Sequence, residues 1–159
     1  MITINPYLNF KGNTEEAFDF YKSVFGGEFL GLMRFGDTPG CENMPEADKS
    51  KIMHIALPIG KNNILMGTDV LEGSGTNCVG PDFKAGNNIS LSLSPESEEE
   101  ADKLFAALSE GGQVVMPLEK AFWGDYFGMV ADKFGIQWMV SYAYQQETAG
   151  AERAAAANA

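Results

Sequence analysis

The chain holds a single histidine, His54, so any imidazole chemistry must pass through it. A histidine titrates near neutral pH and can act as a general base or as a hydrogen-bond donor to a ligand. On a strand it can equally bond a neighbouring carbonyl or carboxylate, and no nucleophile or base-orienting partner is readable beside it. Three further sets of polar side chains recur at alternate positions: Asn5, Tyr7 and Asn9; Asn88, Ser90 and Ser92; and Gln137, Met139 and Ser141. Alternate residues of a strand share one face. Each set therefore lines one side of a strand, facing either solvent or a hollow with a few hydrogen-bonding groups for a ligand. Trp123, Tyr126, Phe127 and Trp138 add rings that suit a planar ligand, a core or a subunit contact. Met33, Met53, Met66 and Met139 read as adaptable packing.

Charged residues carry less chemistry. A hydrolase built on paired carboxylates needs two acids converging on a cleft. Asp125 and Asp132 instead flank a predicted hairpin, where turn chemistry accounts for both. Arg34, Asp37, Glu42, Glu46 and Asp48 sit in or beside a polar stretch, 36–50, and read as the solvated charges of an exposed loop. No phosphate loop, dinucleotide fingerprint or nucleophile elbow is present in the sequence.

The elements that must position these residues come in a repeating order. In Thr3–Phe10, Ile4, Leu8 and Phe10 alternate with Asn5, Tyr7 and Asn9, which predicts a half-buried strand. Gly12-Asn13-Thr14-Glu15-Glu16 supplies turn and N-cap chemistry. Ala17, Phe18, Tyr21, Val24 and Phe25 follow at helical spacing, and Gly26-Gly27 ends the helix. Strands are predicted at 28–35, 51–59 and 63–68. After a glycine-rich stretch the order returns. A strand spans 87–94, and Pro95 and a run of acids open a helix. Ala101, Leu104, Phe105 and Leu108 form its buried stripe, and Gly111-Gly112 is its stop. Strands at 113–122, 125–131 and 136–142 complete the second round. Within them, Phe122-Trp123-Gly124-Asp125-Tyr126-Phe127-Gly128 alternates rings with glycines, and a turn falls at Asp132 to Gly135. The segment 145–159 is polar, then alanine-rich, and reads as a frayed helix or a disordered tail.

Bulk properties bound the function. A chain of 159 residues is the usual size of one domain. Its net charge of −11 repels phosphate backbones, and no basic stripe offsets it, so nucleic acid is not an expected partner. Cys41 and Cys78 lie in predicted loops without a CxxC partner and read as free thiols in a reducing cytosol. No apolar run approaches the ~20 residues of a membrane helix, and residues 1–6 lack signal-peptide character. The expectation is a cytoplasmic protein with no membrane partner.

Specific strings point further. Tyr7-Leu8-Asn9-Phe10-Lys11-Gly12-Asn13, Ala17-Phe18-Asp19-Phe20-Tyr21, Phe25-Gly26-Gly27-Glu28 and His54-Ile55-Ala56-Leu57-Pro58-Ile59-Gly60 come in that order. The two ring-rich segments from Phe122 to Gly128 and from Asp132 to Trp138 follow. In these strings and in its doubled strand-helix-three-strand plan, the chain resembles the PhnB-like branch of the vicinal oxygen chelate superfamily. That superfamily contains glyoxalase I, extradiol dioxygenases and bleomycin-resistance proteins. The branch is often labelled 3-demethylubiquinone-9 3-methyltransferase. The label itself finds no support in a glycine-rich strand-to-helix turn for a nucleotide cofactor.

The resemblance implies an α+β fold. Two βαβββ modules, about 1–69 and 87–144, form a curled mixed sheet around a central cavity, with helices on the outer face. They make one domain, 1–144, with a linker at 70–86 and a flexible tail at 145–159. Metal-using members place four His or Glu ligands on the first and last strands of the two modules. The corresponding positions here are Asn5, Met66, Asn88 and Met139, two amides and two thioethers, which suit neither hard nor borderline ions. No metal and no cofactor are therefore expected. The expected function is metal-free binding of a small, partly aromatic or amphipathic molecule in the cavity. Asn5, Tyr7, Asn9, Met66, Asn88, Ser90, Trp123, Gln137 and Met139 would line it. Two alternatives stand beside this: a metal-independent lyase or isomerase using His54 or Tyr126 as its acid–base group, and a structural homodimer with no ligand. A homodimer is expected in each case.

Overall fold

A strand, a helix and three more strands recur twice along the chain. The computed structural model describes residues 1–72 and 83–144, which fall into two units, Met1–Ala85 and Gly86–Ala159. In the first, β1 (Tyr7–Phe10) leads to α1 (Thr14–Phe25), β2 (Gly31–Arg34), the short α2 (Glu46–Lys49), β3 (Ile52–Ile59) and β4 (Asn63–Asp69). Its sheet runs β1-β4-β3-β2, with β1 and β4 parallel and the other neighbours antiparallel. In the second, β5 (Leu91–Leu93), α3 (Glu98–Ser109), β6 (Gln113–Lys120), β7 (Asp125–Ala131) and β8 (Gln137–Ala143) form the order β5-β8-β7-β6, again with first and last strands parallel. The architecture is α+β: two open four-stranded mixed sheets and three helices.

Each unit seats its long helix on its sheet through a ring placed over a glycine. Phe18 of α1 is fully buried. A Cβ on Gly67 of β4 would lie 2.6 Å from Cε2 of that ring and 3.0 Å from its Cζ. In the second unit a Cβ on Gly128 of β7 would lie 2.7 Å from Cε2 of Phe105 on α3 and 2.9 Å from Cα of Leu118. Only a residue without a side chain lets helix and sheet approach so closely. Ala17, Tyr21, Ile55, Leu57 and Leu65 fill the first core, and Ala101, Leu108, Val130, Trp138 and Val140 the second.

Two buried carboxylates complete the helix-side packing. Asp69, at the end of β4, accepts hydrogen bonds from Thr14 N (3.0 Å), Thr14 Oγ1 (2.6 Å) and Ile52 N (2.8 Å). The first turn of α1 is thus satisfied from across the unit. Asn13, the expected local cap, makes no side-chain capping bond. In α3 the cap is local: Ser97 Oγ accepts from Glu100 N at 3.1 Å, while Glu100 Oε2 accepts from Glu96 N at 2.7 Å. Asp132 fixes the β7–β8 turn, with Oδ1 accepting from Phe134 N (2.8 Å) and Ile136 N (3.0 Å) and Oδ2 from Trp138 Nε1 (2.9 Å).

Several expectations require correction. The 36–50 stretch is not a uniformly exposed loop. Phe35, Cys41 and Met44 are buried with Leu71, Met53 packs against them, and α2 lies within the stretch. Their apolar surface is withdrawn from water against the strand that follows. Cys41 is disulfide-bonded rather than a free thiol; Cys78 lies outside the described residues. The strand predicted at 87–94 shrinks to Leu91–Leu93, because only these residues pair with β8. The strand predicted from Thr3 begins at Tyr7. The tail and most of the linker lie outside the described residues. No helix among the described residues is long and apolar enough to cross a membrane.

Tyr126 also lies on the helix side, donating to Asp102 Oδ1 of α3 at 2.7 Å. That bond, with smaller contributions from burial and the acids of α3, raises its pKa from the ordinary 10.0 to about 12. A phenol raised in the folded state stabilises the fold fully below its unfolded pKa. This contribution falls away as pH climbs from 10.0 toward about 12. Ultraviolet titration should therefore show one phenol ionising near pH 12 that disappears in Tyr126→Phe, whose melting temperature should vary less with pH across that window. Gly67→Ala should destabilise the protein by about 1–3 kcal/mol in urea unfolding, through overpacking against Phe18. Gly128→Ala should cost more, because the backbone of Leu118 cannot swing aside as a ring can.

Candidate functional site

Once α1 covers one face of the first sheet, strand alternation decides what the other face presents. In β4, Leu65, Gly67 and Asp69 are buried, whereas Ile64, Met66 and Thr68 alternate with them and are only half-buried. In β3, Ile55 and Leu57 are buried, and His54 lies on the opposite side. In β1, Phe10 is buried while Tyr7 and Asn9 are exposed. Register then sets neighbours. Tyr7 lies beside Met66, Met66 beside Ala56, and His54 beside Met33 of β2.

On this uncovered face the Tyr7 hydroxyl meets His54 Nδ1 at 3.1 Å, with ring centroids 5.8 Å apart. Partial burial pushes the Tyr7 phenol up, and the Thr68 hydroxyl beside it draws it back less strongly. Tyr7 therefore stays a neutral phenol at physiological pH, and its hydroxyl can donate to Nδ1. A phenol donating to Nδ1 leaves the imidazole proton on Nε2. This pairing is absent from the sequence reading because the two residues are 47 positions apart. The parallel β1–β4 ladder brings them together by placing β1 one strand away from β3.

The other expected residues divide by role. Asn5 lies before β1 and its Oδ1 accepts from Ile64 N at 3.0 Å, next to the Pro6 O–Met66 N bond of 3.0 Å. It extends the β1–β4 ladder. Asn9 and Met66 share the uncovered face with Tyr7. In the second unit, Asn88 and Ser90 precede β5 rather than lying within it. Met139 stands beside Ser92 and Met129. Gln137 Nε2 donates to Gly135 O at 3.2 Å. Trp123 is about half exposed, stacks edge-on to Phe127 at 5.5 Å, and donates Nε1 to Asp125 Oδ2 at 3.2 Å. Ser141 Oγ donates to the same oxygen at 3.2 Å. A hollow of about 400 Å³ opens here, lined by Ser94, Glu96, Asp125 and Ser141 among others; the sequence carried no signal for it. Tyr126, facing α3, stands apart from this group, and Trp138 is a core residue.

At the positions where the resemblance implies metal ligands, Asn5 and Met66 in the first unit and Asn88 and Met139 in the second, the side chains are amides and thioethers. Asn5 already spends its carbonyl oxygen on Ile64 N. Met66 and Met139 present thioethers, and Asn88 an amide. Zinc and its neighbours take imidazole, thiolate or carboxylate. Among the described residues, no three His, Cys, Asp or Glu side chains gather in a way that could hold an ion.

Comparison with known proteins places this geometry. The family model described as 3-demethylubiquinone-9 3-methyltransferase matches residues 2–141. The crystal structure of protein PA1353 from Pseudomonas aeruginosa is 39% identical, covers 90% of this chain and 98% of its own, and superposes with a TM-score of 0.76. The PhnB protein from Bacillus cereus is 29% identical, with 89% and 100% coverage and a TM-score of 0.68. A glyoxalase/bleomycin resistance protein from Albidiferax ferrireducens, 14% identical over 87% of this chain and 95% of its own, shares the fold at a TM-score of 0.56. With its two sheet-and-helix units and a match over nearly all their length, the chain belongs to the family described as 3-demethylubiquinone-9 3-methyltransferase.

Proposed function

We propose that the protein binds a small, partly apolar molecule on uncovered sheet face, without a metal ion at the four family positions. One observation carries the reading. Where metal-using relatives hold His or Glu, this chain holds amides and thioethers, yet the uncovered face of the first sheet keeps a small polar cluster, Tyr7 with His54, among Met33 and Met66. A few fixed hydrogen-bonding groups within an adaptable apolar surround are the usual composition of a ligand site. The glyoxalase/bleomycin resistance protein named above shares the fold, and small-molecule binding is the use of the fold that this chemistry supports. Acid–base catalysis through Tyr126 is disfavoured, since its phenol is tied to Asp102 on the helix side and held up to about 12.

Elemental analysis of protein incubated with nickel, zinc, iron or manganese and then desalted should find well under one ion per chain. A stoichiometric ion would contradict the reading. In a thermal-shift screen of aromatic and amphipathic metabolites, a true ligand should raise the melting temperature progressively with its concentration, because it binds only the folded state.

A further inference from the structure

We propose that the Tyr7–His54 pair receives an anionic oxygen, the carboxylate or comparably acidic hydroxyl of a small molecule whose apolar body lies against Met33 and Met66. The inference rests on the binding function above and names the ligand's chemical class. Among the described residues, the hydrogen bonding of His54 to the protein is confined to Nδ1. With Tyr7 donating there, Nε2 carries the proton and is a donor with no partner in its own unit. Its complement is an acceptor.

Charge around the pair favours an anion over a neutral acceptor. The chain carries 22 acidic residues and a net charge of −11. Yet the residues that share this face (Tyr7, Asn9, Met33, His54, Met66 and Thr68) include no acid. The one carboxylate of β1 to β4 that is buried, Asp69, points to α1 and is satisfied there. The groups flanking His54 are Met33 on β2, Thr68 on β4 and Tyr7 on β1, of which only Tyr7 titrates. Arg34, next to Met33 on β2, is engaged by Glu15 of α1 at 2.8 Å and by the Ser50 carbonyl at 2.7 Å. His54 is therefore the group on this face that can meet a negative charge. The Tyr7 hydroxyl suits both charge states of the ring. It donates to Nδ1 when the imidazole is neutral and accepts from Nδ1–H when the ring gains a proton. A hydrogen bond from Nε2–H to an anion is charge-assisted and stronger than one to a neutral acceptor.

The test uses three probes with one ring and three charges: benzoate, benzamide and benzylamine, titrated calorimetrically into the full chain. Benzoate should bind roughly tenfold or more tightly than the other two. His54→Gln should remove that preference. Tyr7→Phe should weaken benzoate binding by a smaller factor. If His54→Gln fails to fold, Tyr7→Phe carries the test, because the ring that packs on the sheet is retained. Equal affinity for the three probes, a preference for benzylamine, or benzoate binding indifferent to both substitutions would overturn the inference. So would the failure of benzoate to bind at all. Binding of benzamide or benzylamine without benzoate would sink this inference alone. The broader binding function falls separately, if the chain retains a stoichiometric metal ion.

Discussion

A phenylalanine ring of each long helix rests on a glycine of the sheet below it, and much else in the two units follows from that contact. Phe18 over Gly67 and Phe105 over Gly128 allow no Cβ at the glycine. The close approach chooses which face of each sheet is covered. Because side chains alternate along strands, it also assigns every other residue to the opposite face. Buried carboxylates secure the arrangement. Asp69 joins the start of α1 to β4 and β3 through three hydrogen bonds. Asp132 closes the β7–β8 turn and takes the indole of Trp138. No buried side-chain nitrogen or oxygen lacks a partner among the described residues, so the covered side is fully satisfied.

The chemistry is left to the other side. On the first sheet, one tyrosine–histidine pair stands among methionines. A thioether fills space, adapts its shape and does not bind a hard cation. On the second sheet the uncovered side has a different character. Asp125 collects the Trp123 indole and the Ser141 hydroxyl beside a hollow of about 400 Å³. The two units share a topology but not a surface chemistry.

Most of the fold was legible in the residues. The alternation in 125–131 places β7 to the residue, and Gly26-Gly27 and Gly111-Gly112 stop the helices, because these signals are local. What escaped was long-range. Asn87 to Ser90 alternates as a strand should, but alternation reveals faces and not ladder partners, and β8 pairs only with Leu91–Leu93. The 12–16 stretch reads as a local cap, yet the Asp69 carboxylate, 55 positions beyond Thr14, satisfies the helix start. Cys41 and Met44 read as loop because the residue that completes their cluster, Leu71, lies beyond two strands. The candidate site was half legible. Tyr7 and Asn9 were assigned to the same face by period, and Met66 entered through the resemblance. His54 was visible as a lone imidazole, while its partner depended on a parallel ladder that no local pattern encodes. Tyr126 shares a face with Gly128 and donates to Asp102 of α3, a partner that no local pattern encodes.

The central claim is that the uncovered face of the first sheet carries an imidazole oriented by Tyr7, with its proton on Nε2. Because His54 is the chain's one histidine, long-range nitrogen–proton correlation spectra of the folded protein report on this ring without overlap. At a pH where the ring is neutral, the account predicts Nδ1 resonating as the unprotonated nitrogen and Nε2 as the protonated one, with this preference diminished in Tyr7→Phe. A proton found on Nδ1, or tautomers populated as in a free imidazole and insensitive to Tyr7, would contradict it.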